Sequence, residues 1–209
     1  PSRASLWTGK EVPGHSVFQV YDNLPKDEVL FSEHLQGLGY QTALIGKLHV
    51  SSVPEESEHR HPHDGFDVYE PCIECSAKME APYQSYAQWL KERDPDMYKQ
   101  RLEHGRGIKH IPRELHFSHW ATERAMAFME ETDSDKPFFC MMSLFEPHDP
   151  YDLYPPDMFD ALDPDEIPSP TPANENEPSE LKRERNRNYL GTVSEKSEAE
   201  LKELRCGYH

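Results

Sequence analysis

Basic residues are in short supply: the 209-residue chain has 22 Lys and Arg against 39 Asp and Glu, a formal net charge of −17. That balance argues against nucleic acid or an anionic membrane surface as partner, because both demand a basic face. Long apolar runs are missing too. None approaches the roughly 20 residues that span a bilayer, so no membrane span is expected. The opening residues do not resemble a signal peptide. Cysteine is limited to Cys72, Cys75, Cys140 and Cys206, too few for a disulfide framework at this size, and the redox compartment stays open. Glycine is sparse as well, 10 residues against 19 prolines, which implies long extended connections. With apolar residues at 35% and charged residues at 29%, the composition is lean for a free-standing globule. The chain opens on Pro1 rather than Met, and its last residues read as an unfinished helix. A piece of a larger protein is therefore expected, with localisation unreadable.

What the sequence does contain is a helix-then-strand unit, twice, each followed by a polar cluster. The first unit enters a helix after Asn23-Leu24-Pro25, with Val29, Phe31, Leu35 and Leu38 at helical spacing and Gly39 as its stop. Tyr40 to Ile45 reads as a strand ending at Gly46-Lys47-Leu48-His49. In the second, Ser118 is the expected N-cap of a helix carrying Ala121, Ala125, Phe128 and Met129. Pro137 to Phe145 follows, apolar on both faces as a central strand would be, and ends at Glu146-Pro147-His148-Asp149-Pro150-Tyr151. This pattern predicts an α/β fold in which helices cover a sheet. Ligands then gather beyond the carboxyl ends of the strands, where Lys47, His49 and His148 all fall. Between the units only Tyr83 to Arg93 reads as a helix. Residues 155–178 form a Pro-rich extended connection. Ser179 to Leu190 reads as a charged helix, and Ser197 with Glu200 fits the capping box of a last one.

Several residues could carry chemistry. Pro1 to Gly9 reads as a helical turn bearing Arg3 and stopped by Gly9, and equally as a frayed end. Lys47 and His49 put a cation beside a titratable imidazole, a pair suited to an anionic substrate; two polar residues of a solvated loop are the plainer alternative. His148 stands in a rigid proline frame after a buried strand. Cys72-Ile73-Glu74-Cys75 has zinc-ligand spacing, with His59, His61 and His63 upstream, but a lone CxxC lacks the second pair. Glu55-Glu56 and Glu130-Glu131 read as solvated faces.

Pro1-Ser2-Arg3 with Thr8-Gly9, Gly39-Tyr40-Gln41-Thr42 with Gly46-Lys47-Leu48-His49, Gly65-Phe66-Asp67 and Pro147-His148-Asp149-Pro150-Tyr151 occur in this order. Together they resemble the sulfatase family of the alkaline-phosphatase superfamily. The resemblance implies an incomplete alkaline-phosphatase-like sheet and a single catalytic domain, of which residues 1–209 are a fragment. It further implies a formylglycine nucleophile two positions before Pro1, made from Cys or Ser by a formylglycine-generating system. Arg3 would hold the formylglycine, and Lys47 would contact it and the sulfate. His49 would take a proton so that sulfate can leave. His148 would contact the sulfate and protonate the leaving alcohol.

The same resemblance places the family's calcium ligands outside this chain, an Asp-Asp pair before the nucleophile and an Asp-Asn pair much later. No metal ligand is therefore assigned here, and the 209 residues alone are expected to be inactive. The substrate is expected to be a small-molecule or carbohydrate sulfate ester. Phosphonate or phosphate ester hydrolysis, and a non-catalytic or zinc-binding module, are the competing readings.

Overall fold

Gln41 to Gly46 is a run that water would not tolerate as a loop, and it lies at the centre of a parallel sheet. In the computed structural model it forms β1 (Gln41–Gly46), with Thr42 to Gly46 all buried. The structure describes residues 1–105, 111–148, 151, 155, 162–163, 165–168 and 196–209. They fall into two units, Pro1–Ile108 with Pro112–Glu146, and Lys109–Ile111 with Pro147–His209.

In the first unit, β1 lies between β2 (Val68–Pro71) and β3 (Phe138–Ser143), parallel to both. Register sets Gly46 opposite Pro71 on one side and Ser143 on the other. The expected α/β arrangement is present. Among the described strands the one at 137–145 lies at an edge, with Phe138 and Met142 exposed on it.

One side of the sheet is closed by α1 (Ser2–Thr8) and α3 (Phe31–Gly37). Trp7 stacks on Phe31 at 4.8 Å between centroids and meets Phe66 edge-on at 5.5 Å. Leu44, Leu48 and Val50 complete this core, and the edge-to-face geometry is the arrangement aromatic quadrupoles favour. The other side is closed by α7 (Phe117–Glu131), which packs on β1 and β3. Behind it lies α5 (Ser85–Arg93), whose Tyr86 meets Phe117 at 5.5 Å and Trp120 at 5.7 Å. The short helices α2 (Val12–His15) and α4 (Val53–Glu58), and α6 (Pro95–His104), complete the unit.

Two helix starts differ from expectation. α3 begins at Phe31, not after Pro25, and so excludes Val29. His116 rather than Ser118 caps α7, its Nδ1 accepting from the Ser118 amide at 3.2 Å. Two of the family-like segments brace this scaffold. Thr42 Oγ1 donates to the Gly65 carbonyl at 2.7 Å, and the Thr42 amide donates to Asp67 Oδ2 at 2.9 Å. Gly65 adopts φ 65°, and a Cβ there would sit 2.1 Å from the Glu33 Cα. Only glycine fits that crossing.

In the second unit, α8 (Glu198–Tyr208) carries the expected capping box of Ser197 and Glu200. Lys202 pairs with Asp165 at 2.5 Å, and Tyr151 meets Tyr208 edge-on at 5.6 Å. Most of the Pro-rich segment 155–178 and all of the charged stretch Ser179 to Leu190 lie outside the described residues.

Candidate active site

The carboxyl end of β1 is where the chain leaves the sheet, and its first two residues take opposite conformational demands. Gly46 has φ 102°, and a Cβ on it would lie 2.2 Å from the Ser143 carbonyl oxygen. That close approach lets the Lys47 amide donate to the same oxygen at 2.9 Å. The β1–β3 ladder thus continues one residue past the strand, and Lys47 leaves the sheet in a fixed position.

Lys47 is buried, with 6% of its surface exposed. Its Nζ lies 4.9 Å from the centroid of the Phe145 ring, a cation–π contact. Among the described residues no carboxylate forms an ion pair with it. Burial lowers its pKa, and the nearby Arg3 guanidinium lowers it further. Arg3 comes from α1, whose turn is closed by Gly9 at φ 69° as expected. Its Nη1 donates to the Lys47 carbonyl and to Ser143 Oγ, both at 2.9 Å. Arg3 is likewise pushed below its ordinary value, mainly by burial. Two cations from distant segments are therefore held together at one strand end, and an anion is the group that would relieve both.

α1 is itself pinned. Ser5 Oγ bonds His15 Nε2 at 2.8 Å, while His15 Nδ1 accepts from the Val17 amide at 3.1 Å. An acceptor Nδ1 leaves the proton on Nε2, so His15 donates to Ser5. His15 is fully buried and fixes the helix that presents Arg3.

His49 is half-buried and has φ 57°. Simple strand alternation therefore does not govern how it relates to Lys47, contrary to the expectation from spacing. Its left-handed backbone is held by a residue the sequence reading set aside. Glu56 is not part of a solvated face; only 5% of it is exposed. Its Oε2 accepts from the His49 amide at 2.9 Å, and its Oε1 accepts from the Val50 and Ser51 amides at 2.5 and 2.7 Å. Burial raises its carboxyl pKa to about 7 against these bonds and the Arg3 charge, which pull it down. The only sequence signal was Ser52-Val53-Pro54, a capped helix start that turns Glu56 back toward the loop.

His148 lies in the second unit and is exposed. The zinc-like cluster does not assemble. His61 Nε2 bonds the Glu28 carbonyl at 2.6 Å, and His63 Nδ1 faces Glu33 at 3.2 Å. Cys72 and Cys75 are both buried, and burial drives the Cys75 thiol well above its usual pKa, which disfavours the thiolate a metal requires. Among the described residues no three His, Cys, Asp or Glu come together. No described helix is long and apolar enough to cross a membrane.

A family model described as Sulfatase matches residues 1–197. The N-acetylglucosamine-6-O-sulfatase of Bacteroides thetaiotaomicron is 30% identical over 152 residues, covering 71% of this chain and 22% of that protein. An arylsulfatase of Clostridium perfringens is 28% identical over 182 residues, 81% of this chain and 37% of its own length. This chain thus spans well under half the length of those curated relatives. Among solved structures, the phosphonate monoester hydrolase of Agrobacterium radiobacter matches all of this chain and 45% of its own. Its TM-score is 0.71 at 19% identity, a likeness of fold. A structure in complex with its substrate D-glucosamine-2-N,6-O-disulfate matches 83% of this chain and 29% of its own, with TM-score 0.50 and 25% identity.

Proposed function

Because the chain belongs to the sulfatase family, we propose that the complete protein hydrolyses a sulfate ester, with a carbohydrate sulfate as substrate class. The observation that supports this most is Lys47, a buried ammonium beside the Arg3 guanidinium and without a carboxylate ion pair among the described residues. A group of that kind is costly to hold empty and favourable once a sulfate arrives. The carbohydrate class is supported by the 30% identity to an N-acetylglucosamine-6-O-sulfatase.

The nucleophile in this reading would be a formylglycine outside these residues, whose chemistry would be attack of an oxygen on sulfur. Lys47 Nζ neutralises the sulfate oxygens as charge builds on them. Arg3 fixes the Lys47 carbonyl and orients the chain immediately before it. His49 would take the proton whose loss lets sulfate leave, a role suited to an imidazole. His148 protonates the leaving alcohol oxygen; this role rests on the Pro147-His148-Asp149-Pro150-Tyr151 match alone. Calcium would be held by ligands elsewhere in the protein, where it would supply Lewis-acid polarisation.

The test is turnover by the purified complete protein of 4-nitrophenyl sulfate and glucosamine 6-sulfate, compared with a 4-nitrophenyl phosphonate monoester. Sulfate hydrolysis should dominate, and Lys47→Ala should lower kcat/KM by about 100-fold or more. Residues 1–209 alone should be inert on the same esters. Preferential phosphonate turnover, or a Lys47→Ala protein as active as the parent, would overturn the reading.

A further inference from the structure

The mechanism above leaves Glu56 unused, although it is a buried carboxylate that bonds the His49 amide. A carboxylate with 5% exposure is rarely idle. Its two oxygens take three consecutive amides, those of His49, Val50 and Ser51. The first of these belongs to a residue with φ 57°, a conformation that a side-chain-bearing residue keeps only where its surroundings impose it. These three amides are aimed at one carboxylate, in the manner of an anion-binding backbone nest filled from within the chain.

The two ends of the clamp are themselves fixed. Glu56 projects from α4, whose first turn is capped by Ser52 Oγ and entered through Pro54. Ser52 is tied by its amide to Asn23 Oδ1 at 3.1 Å, and Ser51 Oγ accepts from the Leu24 amide at 2.9 Å. The charged and titratable groups felt by the carboxylate are Arg3 from α1 and Tyr69 from β2. Arg3 is the cation that also holds the Lys47 carbonyl. Glu56 therefore bears on both halves of the strand-end cluster, through backbone on the His49 side and through charge on the Arg3 side.

We infer that Glu56 is a positioning residue for His49: its carboxylate imposes the left-handed turn at residue 49 and so sets where the imidazole stands relative to Lys47. This rests on the role assigned to His49 under the proposed function. The rival is a plain fold-stabilising cap, whose loss would lower stability without altering His49 in the molecules that remain folded.

The experiment uses the complete protein and its Glu56→Gln variant, in which one acceptor oxygen is replaced by an amide that cannot accept. With histidine labelled by 15N and the His49 cross-peak marked by His49→Gln, Glu56→Gln should move that cross-peak and its titration midpoint. With a sulfate ester, kcat should fall about tenfold or more while KM changes less than about threefold, since Lys47 is untouched. In a His49→Ala background the same substitution should change kcat by less than about twofold. An unmoved His49 signal, or an equal loss of kcat in both backgrounds, would overturn the inference. Should Glu56→Gln not fold, hydrogen exchange of the unsubstituted protein decides: amides 49–51 must be protected, and rapid exchange there refutes the clamp. Failure of the unsubstituted protein to cleave any sulfate ester would instead count against the proposed function, with the NMR and exchange results still judging the clamp.

Discussion

Replacing Gly46 with alanine puts one methyl group where the structure has a carbonyl. The added Cβ would meet the Ser143 oxygen at 2.2 Å and the Phe117 ring at 3.3 Å, where ordinary contact starts near 3.4 Å. The oxygen belongs to backbone and has to retreat by roughly 1 Å. That retreat stretches the Lys47 amide bond to the same oxygen, now 2.9 Å, beyond useful range. A lost buried hydrogen bond costs about 1 kcal/mol, and the orphaned group adds a comparable amount. Forcing φ 102° on alanine costs about 1–2 kcal/mol more. The total is about 3–4 kcal/mol, a large share of the roughly 5–15 kcal/mol that holds a domain together. Urea denaturation should show this as a lower midpoint at unchanged slope. Because Ser143 Oγ also accepts from Arg3, any protein that still folds should bind sulfate more weakly. A stability loss below about 1 kcal/mol would show that β3 can slide away freely, and the account of how Lys47 is positioned would be wrong.

Glu56 predicts a pH signature. Its pKa rises from an ordinary 4.5 to about 7 on folding, so the folded state binds the proton more tightly than the unfolded chain. Its contribution is fully present below pH 4.5 and is lost as pH climbs through 7, a fall of about 3 kcal/mol. Urea midpoints of parent and Glu56→Gln between pH 4 and 8 should converge or cross as this slope disappears in the variant. A parent that instead gains stability over this interval relative to the variant contradicts it. Lys47→Met should separate binding from folding. Removing an ammonium whose pKa burial depresses should raise stability by about 1 kcal/mol while abolishing sulfate binding, read by thermal unfolding with and without sulfate.

The motif-bearing segments were the more legible part of this molecule. Arg3, Lys47 and His49 stood out through the family-like segments that carry them, since each alone had a plainer reading, and the structure brings Arg3 onto the Lys47 carbonyl. β1 was legible for the opposite reason, since a short apolar run between glycines has little choice. Glu56 was hidden by composition: in Glu55-Glu56 nothing local says that one carboxylate turns inward, and its burial is created by the turn it caps. β2 was missed because its four residues, Val-Tyr-Glu-Pro, become a strand only by pairing with β1. The apolarity of β3 reports what the strand needs covered, and among the described strands β1 alone pairs with it. The start of α3 moved because Leu30 is buried in the core and bonded through its amide to the His63 carbonyl; a long-range contact overrode a local proline signal.

The bond from Arg3 to Ser143 joins residues 140 positions apart. On a ribosome adding about 5–20 residues per second, Arg3 waits roughly seven to thirty seconds before its partner exists. The helix that carries it is seven residues long, too short to persist in water unaided. Through that interval α1 lacks its partner on β3, and among the described strands β1 can pair only with β2. The strand-end cluster is therefore the last feature of the first unit to be completed, and its assembly is timed by the arrival of β3.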